Sequence, residues 1–122
     1  MQISKRQLNP RLEKQIKNML AQVIADISSK EKALTFLEDF LSETEFMALS
    51  KRLAIMLYLS QNKSYEEIRK EVKVSSATVA SVQSAIQENS PGFTLALQYI
   101  KAEEWANKWA EKITQIFSSK RK

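Results

Sequence analysis

The stretch KSYEEIRKEVKVSSATVASVQSAI, residues 63–86, decides the fold of this chain. Its first half predicts a short helix that begins at Ser64, and its second half predicts a helix from Ser76 to about Gln87. A tight turn, 73–75, separates the two helices. The inward side chains are Ile68, Val72, Val74, Val79 and Val82. Two short helices around one small apolar core predict a helix-turn-helix over about 64–87.

The outward residues of the second helix are short and uncharged. Hydroxyl groups and the Gln83 amide can contact base edges or phosphates. Ser75 or Ser76 can cap this helix and leave its first N–H groups facing a phosphate. We therefore predict double-stranded DNA as a partner. The candidate DNA-binding residues are Tyr65, Arg69, Lys70, Lys73, Ser75, Ser76, Ala77, Thr78, Ala80 and Gln83.

The same pattern also fits an ordinary packing corner between two helices. Bidentate Arg–guanine contacts are the commonest specific base contacts, and the second helix contains no Arg or Lys. The alternative prediction is therefore a helical, dimeric protein-interaction module that has lost DNA binding.

The rest of the chain predicts helices throughout. One Gly and two Pro among 122 residues leave little turn chemistry for a sheet, so the predicted fold class is all-α with six helices. The first helix should start at Pro10, and the last should run from about Phe93 to Phe117. Capping boxes are expected at 28–31, 42–45 and 64–67, and a left-handed cap at Asn62. The expected inward residues of the third helix are Phe46, Leu49, Leu53, Met56 and Leu57, with Leu59 as a further candidate.

Composition narrows the function. The chain has no Cys and no His, which argues against disulfides, thiol chemistry and most zinc sites. Its acidic residues fit helix caps and solvated faces, so we expect no enzyme, cofactor or metal. No apolar stretch is long enough to span a membrane, and no signal peptide is apparent, so we expect a cytoplasmic protein. The net charge of +5 favours a polyanionic partner. We expect one domain, 1–122, with a basic arm at 1–9 and a basic tail at 118–122.

Residues 40–86, FLSETEFMALSKRLAIMLYLSQNKSYEEIRKEVKVSSATVASVQSAI, resemble the Trp repressor family, in particular its broader Trp-repressor-like branch. The matching motifs are the helix start Leu41–Glu45, Ala48-Leu49 with Arg52, Ser64–Ile68 and Ser75–Val79. The resemblance implies a six-helix Trp-repressor-like fold and an intertwined homodimer. It also implies a sequence-specific, DNA-binding transcriptional regulator. The paired Trp105 and Trp109 fit a packing stripe for a partner helix.

The resemblance also implies an effector pocket at Arg52, Thr78 and Ser81. In tryptophan-responsive members an Arg at the Arg52 position stacks on the indole, and the Thr at the Thr78 position lines the site. The Arg that holds the ligand carboxylate is replaced here by Ser81, and the bulkier Val82 follows it. Because a bidentate clamp contributes more than a hydroxyl contact, we expect no response to tryptophan and leave another small-molecule effector open. Lys73 stands where the family tends to have Gly.

Overall fold

The computed structural model describes residues 1, 3, 6–86 and 90–120, without the side chains of residues 117, 119 and 120. Lys5 in the basic arm, Gln87 and the last two residues of the basic tail lie outside the described residues. Within them the chain is all-helical and has no strand, which confirms the predicted fold class. The six helices are α1 (Pro10–Asp26), α2 (Lys30–Phe40), α3 (Glu43–Ser60), α4 (Tyr65–Val72), α5 (Ser76–Ala85) and α6 (Pro91–Lys120). None of the helices in this described part is long and apolar enough to cross a membrane.

The chain divides into two compact units, residues 1–47 and 48–122. The first unit contains α1, α2 and the start of α3, and neither α1 nor α2 has a buried residue. Asn9 caps α1 by accepting a hydrogen bond from the Arg11 amide, and Pro10 occupies the predicted first helical position. The cap of α2 is Ser29, which accepts from the Lys32 amide at 3.1 Å. The predicted box at 28–31 was thus one residue early, because either of two adjacent serines can serve as a cap.

The predicted box at the start of α3 is confirmed in full. The Ser42 amide donates to Glu45 Oε1 at 2.9 Å, and the Glu45 amide donates to Ser42 Oγ at 3.0 Å. The bond from the Ser42 backbone lowers the pKa of the Glu45 carboxyl, and the Ser42 hydroxyl and the nearby N-terminal ammonium act in the same direction. The ionised carboxylate therefore stabilises this helix start.

Among its described residues, the second unit is built on four buried side chains: Ile55 of α3, Ile68 of α4, and Val79 and Val82 of α5. Met56, Tyr58, Leu59, Val72, Val74 and Ile86 are partly buried against them. Three of the five inward residues predicted for the helix-turn-helix are thus buried, and the other two are half-buried. This core fixes α4 and α5 on the second half of α3.

The predicted inward face of α3 was wrong in part. Ile55 is completely buried, although the sequence did not single it out, whereas Leu49 and Leu53 are 52% and 45% exposed. Residues 53–59 form an unbroken apolar run, so periodicity cannot distinguish the faces of α3 there. The exposed leucines leave a second apolar face on this helix.

Among the residues that the structure describes, two non-glycine residues adopt left-handed backbone conformations: Asn62, as predicted, and Lys73. Lys73 has φ 60° and ψ 57° and ends α4, and its amide donates to the Arg69 carbonyl at 3.0 Å. A lysine in this conformation is destabilised by its Cβ, whereas asparagine tolerates it better. The αL turn therefore carries a local strain that glycine would relieve.

We expect Lys73→Gly to raise the free energy of unfolding by about 1 kcal/mol, because glycine adopts the left-handed conformation without a Cβ clash. Urea denaturation measures the change. Asn62→Gly is the matched control and should give a smaller gain. A loss of stability in Lys73→Gly would contradict this account of the turn.

We expect the stability difference between the wild type and Glu45→Gln to depend on pH. The folded-state pKa of Glu45 is lowered, so the wild type gains stability above the ordinary glutamate pKa of 4.5. That gain disappears as the pH falls below this value and through the lowered folded-state pKa. Thermal unfolding of both variants across this range measures it. Glu43→Gln is the control, and an equal pH dependence in the two variants would contradict the role of the Ser42–Glu45 box.

Candidate nucleic-acid interface

The outer side of α4 presents an aromatic ring and a free cation. Ser64 caps this helix by accepting from the Glu67 amide at 3.2 Å. Tyr65 and Arg69 lie one helical turn apart and so on one face of α4, and both are exposed. Arg69 has no ion pair or side-chain hydrogen bond with any residue that the structure describes. Its guanidinium is therefore available to an anion from outside.

The neighbouring lysines differ in how freely their ammonium groups can contact an external anion. Lys70 Nζ lies 3.4 Å from a Glu66 oxygen, and both side chains are about 70% exposed. Such a pair is screened by water and easily broken, so Glu66 only partly offsets the charge of Lys70. Lys63, by contrast, lies 4.3 Å from the Tyr58 ring centroid and 3.5 Å from Glu71. Lys73 is exposed and completes the basic group on α4 and its turn.

The start of α5 has two free backbone donors. Ser75, rather than Ser76, is the cap: its hydroxyl oxygen accepts from the Thr78 amide at 3.1 Å, and its carbonyl accepts from the Val79 amide at 3.2 Å. The Ser75 and Thr78 hydroxyls also share a hydrogen bond of 2.9 Å. The amides of Ser76 and Ala77 have no partner among the described residues. They form, with the helix dipole, a site suited to a phosphate oxygen.

The outer surface of α5 is polar but uncharged. Val79 and Val82 hold one side of the helix in the core, which leaves Ser76, Ala77 and Gln83 exposed. Ala80, predicted to be outward, is half-buried. The sequence of this helix, SATVASVQSA, contains no charged residue. The side chains of α5 can therefore offer a ligand only hydroxyl groups and the Gln83 amide, in addition to the backbone amides at the start of the helix.

The three residues of the predicted effector pocket lie along one cleft between α3 and α5. This α3–α5 cleft has a volume of about 560 Å³. Its lining residues are Ala48, Leu49, Lys51, Arg52, Ile55, Val74, Ala77, Thr78, Ser81 and Val82. Ala77 and Thr78, predicted as DNA contacts, thus line the cleft. Arg52 and Ser81 are both exposed at it.

Lys51 is the interface residue that the sequence analysis missed. Its Nζ donates to the backbone carbonyl of Lys73 at 3.1 Å and so ties α3 to the αL turn. The two residues are 22 positions apart, and no local pattern links them. The bond satisfies a carbonyl at the end of α4 and adds a positive charge where the helix dipole is negative. Lys51 therefore helps to fix the turn that sets the start of α5.

No group of three or more acidic residues in the part of the chain that the structure describes could hold a metal ion. The candidate interface therefore has three parts, each described above: the cations on α4 and its turn, the capped start of α5, and the adjoining α3–α5 cleft.

Comparisons with known proteins place this arrangement in a family. The family model described as Trp repressor protein matches residues 15–101, which include α2 to α5 and the cleft. An uncharacterized protein of Bacillus subtilis (strain 168), YerC, is 25% identical over 81 residues, covering 66% of this chain and 78% of YerC. No solved structure matches the chain. The family match spans most of the sequence, and the chain therefore belongs to the Trp repressor protein family.

Proposed function

We propose that this chain is a sequence-specific transcriptional regulator that binds double-stranded DNA as a homodimer and does not respond to tryptophan. The family suggests a helix-turn-helix DNA-binding regulator. The observation that supports DNA most directly is that one helix-turn-helix holds both an exposed Arg69 with no ion-pair partner among the described residues and a Ser75-capped start of α5. A phosphate at the free Ser76 and Ala77 amides would bring the outer side of α5 into the major groove.

In this proposal most of the affinity comes from phosphates. Arg69, Lys70 and Lys73 would neutralise the DNA backbone and release counterions. Base recognition would come from Ser76 and Gln83, supported by water and by DNA shape, because α5 offers no guanidinium. The small side chains of Ala77 and Ala80 would let the helix backbone approach closely.

The proposed homodimer is supported by apolar surface that the single chain leaves exposed. On α1, Leu12, Ile16 and Val23 recur at helical spacing, and each is at least 40% exposed. Leu49 and Leu53 add the second face of α3. Exposed apolar helix faces of this kind are typical of interfaces, and a two-fold dimer would present two copies of α5 to two half-sites. We place the dimer in the cytoplasm and treat residues 1–122 as one DNA-binding domain.

The lack of response to tryptophan is proposed from the α3–α5 cleft. Arg52 is available at one side for stacking, but Ser81 stands where a carboxylate clamp is needed. Val82 is only 6% exposed and belongs to the core, so its bulk is part of the fold.

A second candidate function, a dimeric protein-interaction module, is favoured by the uncharged α5 and is tested by the DNA experiment below.

We expect Arg69→Ala to weaken binding to a mixed-sequence DNA duplex and to lower the salt slope, d log K/d log[salt], by about 0.9, because one phosphate contact is lost. Fluorescence anisotropy over a series of salt concentrations measures both. Lys108→Ala is the matched control, since it removes the same charge from an exposed site on α6.

When genomic fragments are selected by binding to the wild type, we expect the bound fragments to contain two half-sites about one DNA turn apart.

Absence of any salt-dependent DNA binding by the wild type would overturn the proposal and favour the protein-interaction module. An equal loss of affinity in Arg69→Ala and Lys108→Ala would show that net charge, rather than this interface, is responsible.

We expect a large excess of tryptophan to leave the Tm of the wild type unchanged, because the cleft lacks a guanidinium at position 81. Thermal-shift measurements over a series of tryptophan concentrations test this. A ligand that binds only the native state raises the Tm in a concentration-dependent way, so such a rise would contradict the assignment.

A further inference from the structure

The C-terminal part of α6 extends beyond the family match. The match ends at residue 101, whereas α6 continues to Lys120. Early in the helix, Phe93, Ala96, Leu97 and Ile100 are half-buried, but every residue from 101 to 116 is exposed. Trp105 is 64% exposed and Ile116 is 55% exposed. A helical stretch of this length gains most of its stability from a packed apolar face, and the single chain gives this one none.

Seven exposed apolar residues of α6 follow a heptad spacing, and the exposed Trp105 and Ala110 lie off it. The seven recur at alternating intervals of four and three residues, the spacing that brings two helices together in a left-handed coiled coil. We call them the α6 seam: Leu95, Tyr99, Ala102, Ala106, Trp109, Ile113 and Ile116. The seam lies on a different side of the helix from the half-buried residues 93, 96, 97 and 100. It is therefore an interaction surface separate from the packing of the second unit.

We propose that the α6 seam binds the α6 seam of a second copy of this chain, with the two helices antiparallel. In that orientation Trp109 faces the small Ala106 of the second copy, and Ile113 faces its Ala102. Tyr99 then faces Ile116. Large residues opposite small ones fill such a seam evenly. A parallel pair would instead set Trp109 against Trp109 and Ala106 against Ala106, which crowds one layer and leaves a void in another.

The flanks of the seam and its size agree with this partner. Trp105 packs on Trp109 with ring centroids 5.7 Å apart and widens the apolar face. In the antiparallel pair Lys112 would lie beside Trp105 of the second copy, a favourable cation–π arrangement. The exposed parts of the large seam residues and Trp105 amount to roughly 700 Å² per chain, close to the roughly 800 Å² per partner of a standard interface.

The chain contains no Cys, so single cysteines can test the pairing directly. We expect Ala102→Cys and Ile113→Cys, co-expressed in one cell and purified together, to form a disulfide-linked dimer on mild oxidation. Neither variant alone should form it. Facing seam positions lie within the Cα separation that a disulfide requires. The control is a co-expressed pair at Glu104 and Glu111, two exposed positions on the opposite face of α6. Non-reducing electrophoresis measures the linked dimer.

Cross-linking of Ile113→Cys with itself would overturn the antiparallel arrangement in favour of a parallel one. The proposal would also fail if the co-expressed pair were linked no better than the Glu104 and Glu111 control. That result would assign the seam to another occupant, such as α1 or a different protein. All four sites are exposed and outside the core, so loss of folding is not expected.

A second measurement does not depend on cysteine. We expect Ile113→Glu to lower the helix content of the full chain and to weaken its self-association, because two seams would each bury a charge. Gln115→Glu adds the same charge off the seam and should leave both unchanged. Sedimentation equilibrium and far-UV circular dichroism measure the two effects. Self-association of Ile113→Glu equal to that of Gln115→Glu would overturn the proposal, whatever the outcome of the DNA-binding experiments.

Discussion

The burial of Ile68 against Ile55, Val79 and Val82 is the interaction on which the second unit depends. Each of these side chains contributes about 1.5–3 kcal/mol when it is fully removed from water. Together they join three helices, α3, α4 and α5, in which the structure describes no other buried residue. Val79 and Val82 also set the rotation of α5 about its axis, because they are three positions apart and both point into the core. The orientation of Ser76 and Gln83 toward solvent is a consequence of that burial.

This small core divides the chemistry of the interface between two elements. The positive charges lie on α4 and its turn, and the free amide donors lie at the start of α5. Lys51 of α3 holds the turn between the two elements in place through the Lys73 carbonyl. If DNA is the ligand, phosphate contacts would fix the position of the protein first, and the uncharged α5 would add limited base recognition. Such a division favours two half-sites read together over strong recognition by one helix.

Local chemistry made much of this fold predictable. Three residues mark helix starts by their side chain or backbone preference, and each lies at a helix start here: Pro10, Ser64 and Ser75. Asn62 tolerates the left-handed conformation and adopts it after the C-terminus of α3. The faces of α3 were not predictable, because an unbroken apolar run has no period. Other features depend on tertiary geometry: the Lys51–Lys73 bond joins distant positions. Ala77, predicted only as a DNA contact, lines the α3–α5 cleft because its side of α5 faces α3, which no spacing within α5 reveals; Thr78 was expected at the cleft from the family resemblance alone.

The contrast between four buried residues and several exposed apolar faces bears on how this protein is stabilised. Burial in the second unit holds the helix-turn-helix together, but it does not cover α1, Leu49 and Leu53 of α3, or the α6 seam. Surfaces that become buried only in an oligomer make folding stability depend on protein concentration by mass action. In the proposed dimer, the pairing that stabilises the outer helices would also set the distance between the two copies of α5. Stability and the spacing of the DNA half-sites would then be governed by the same contacts, so a substitution in an outer helix could alter DNA binding without touching the interface.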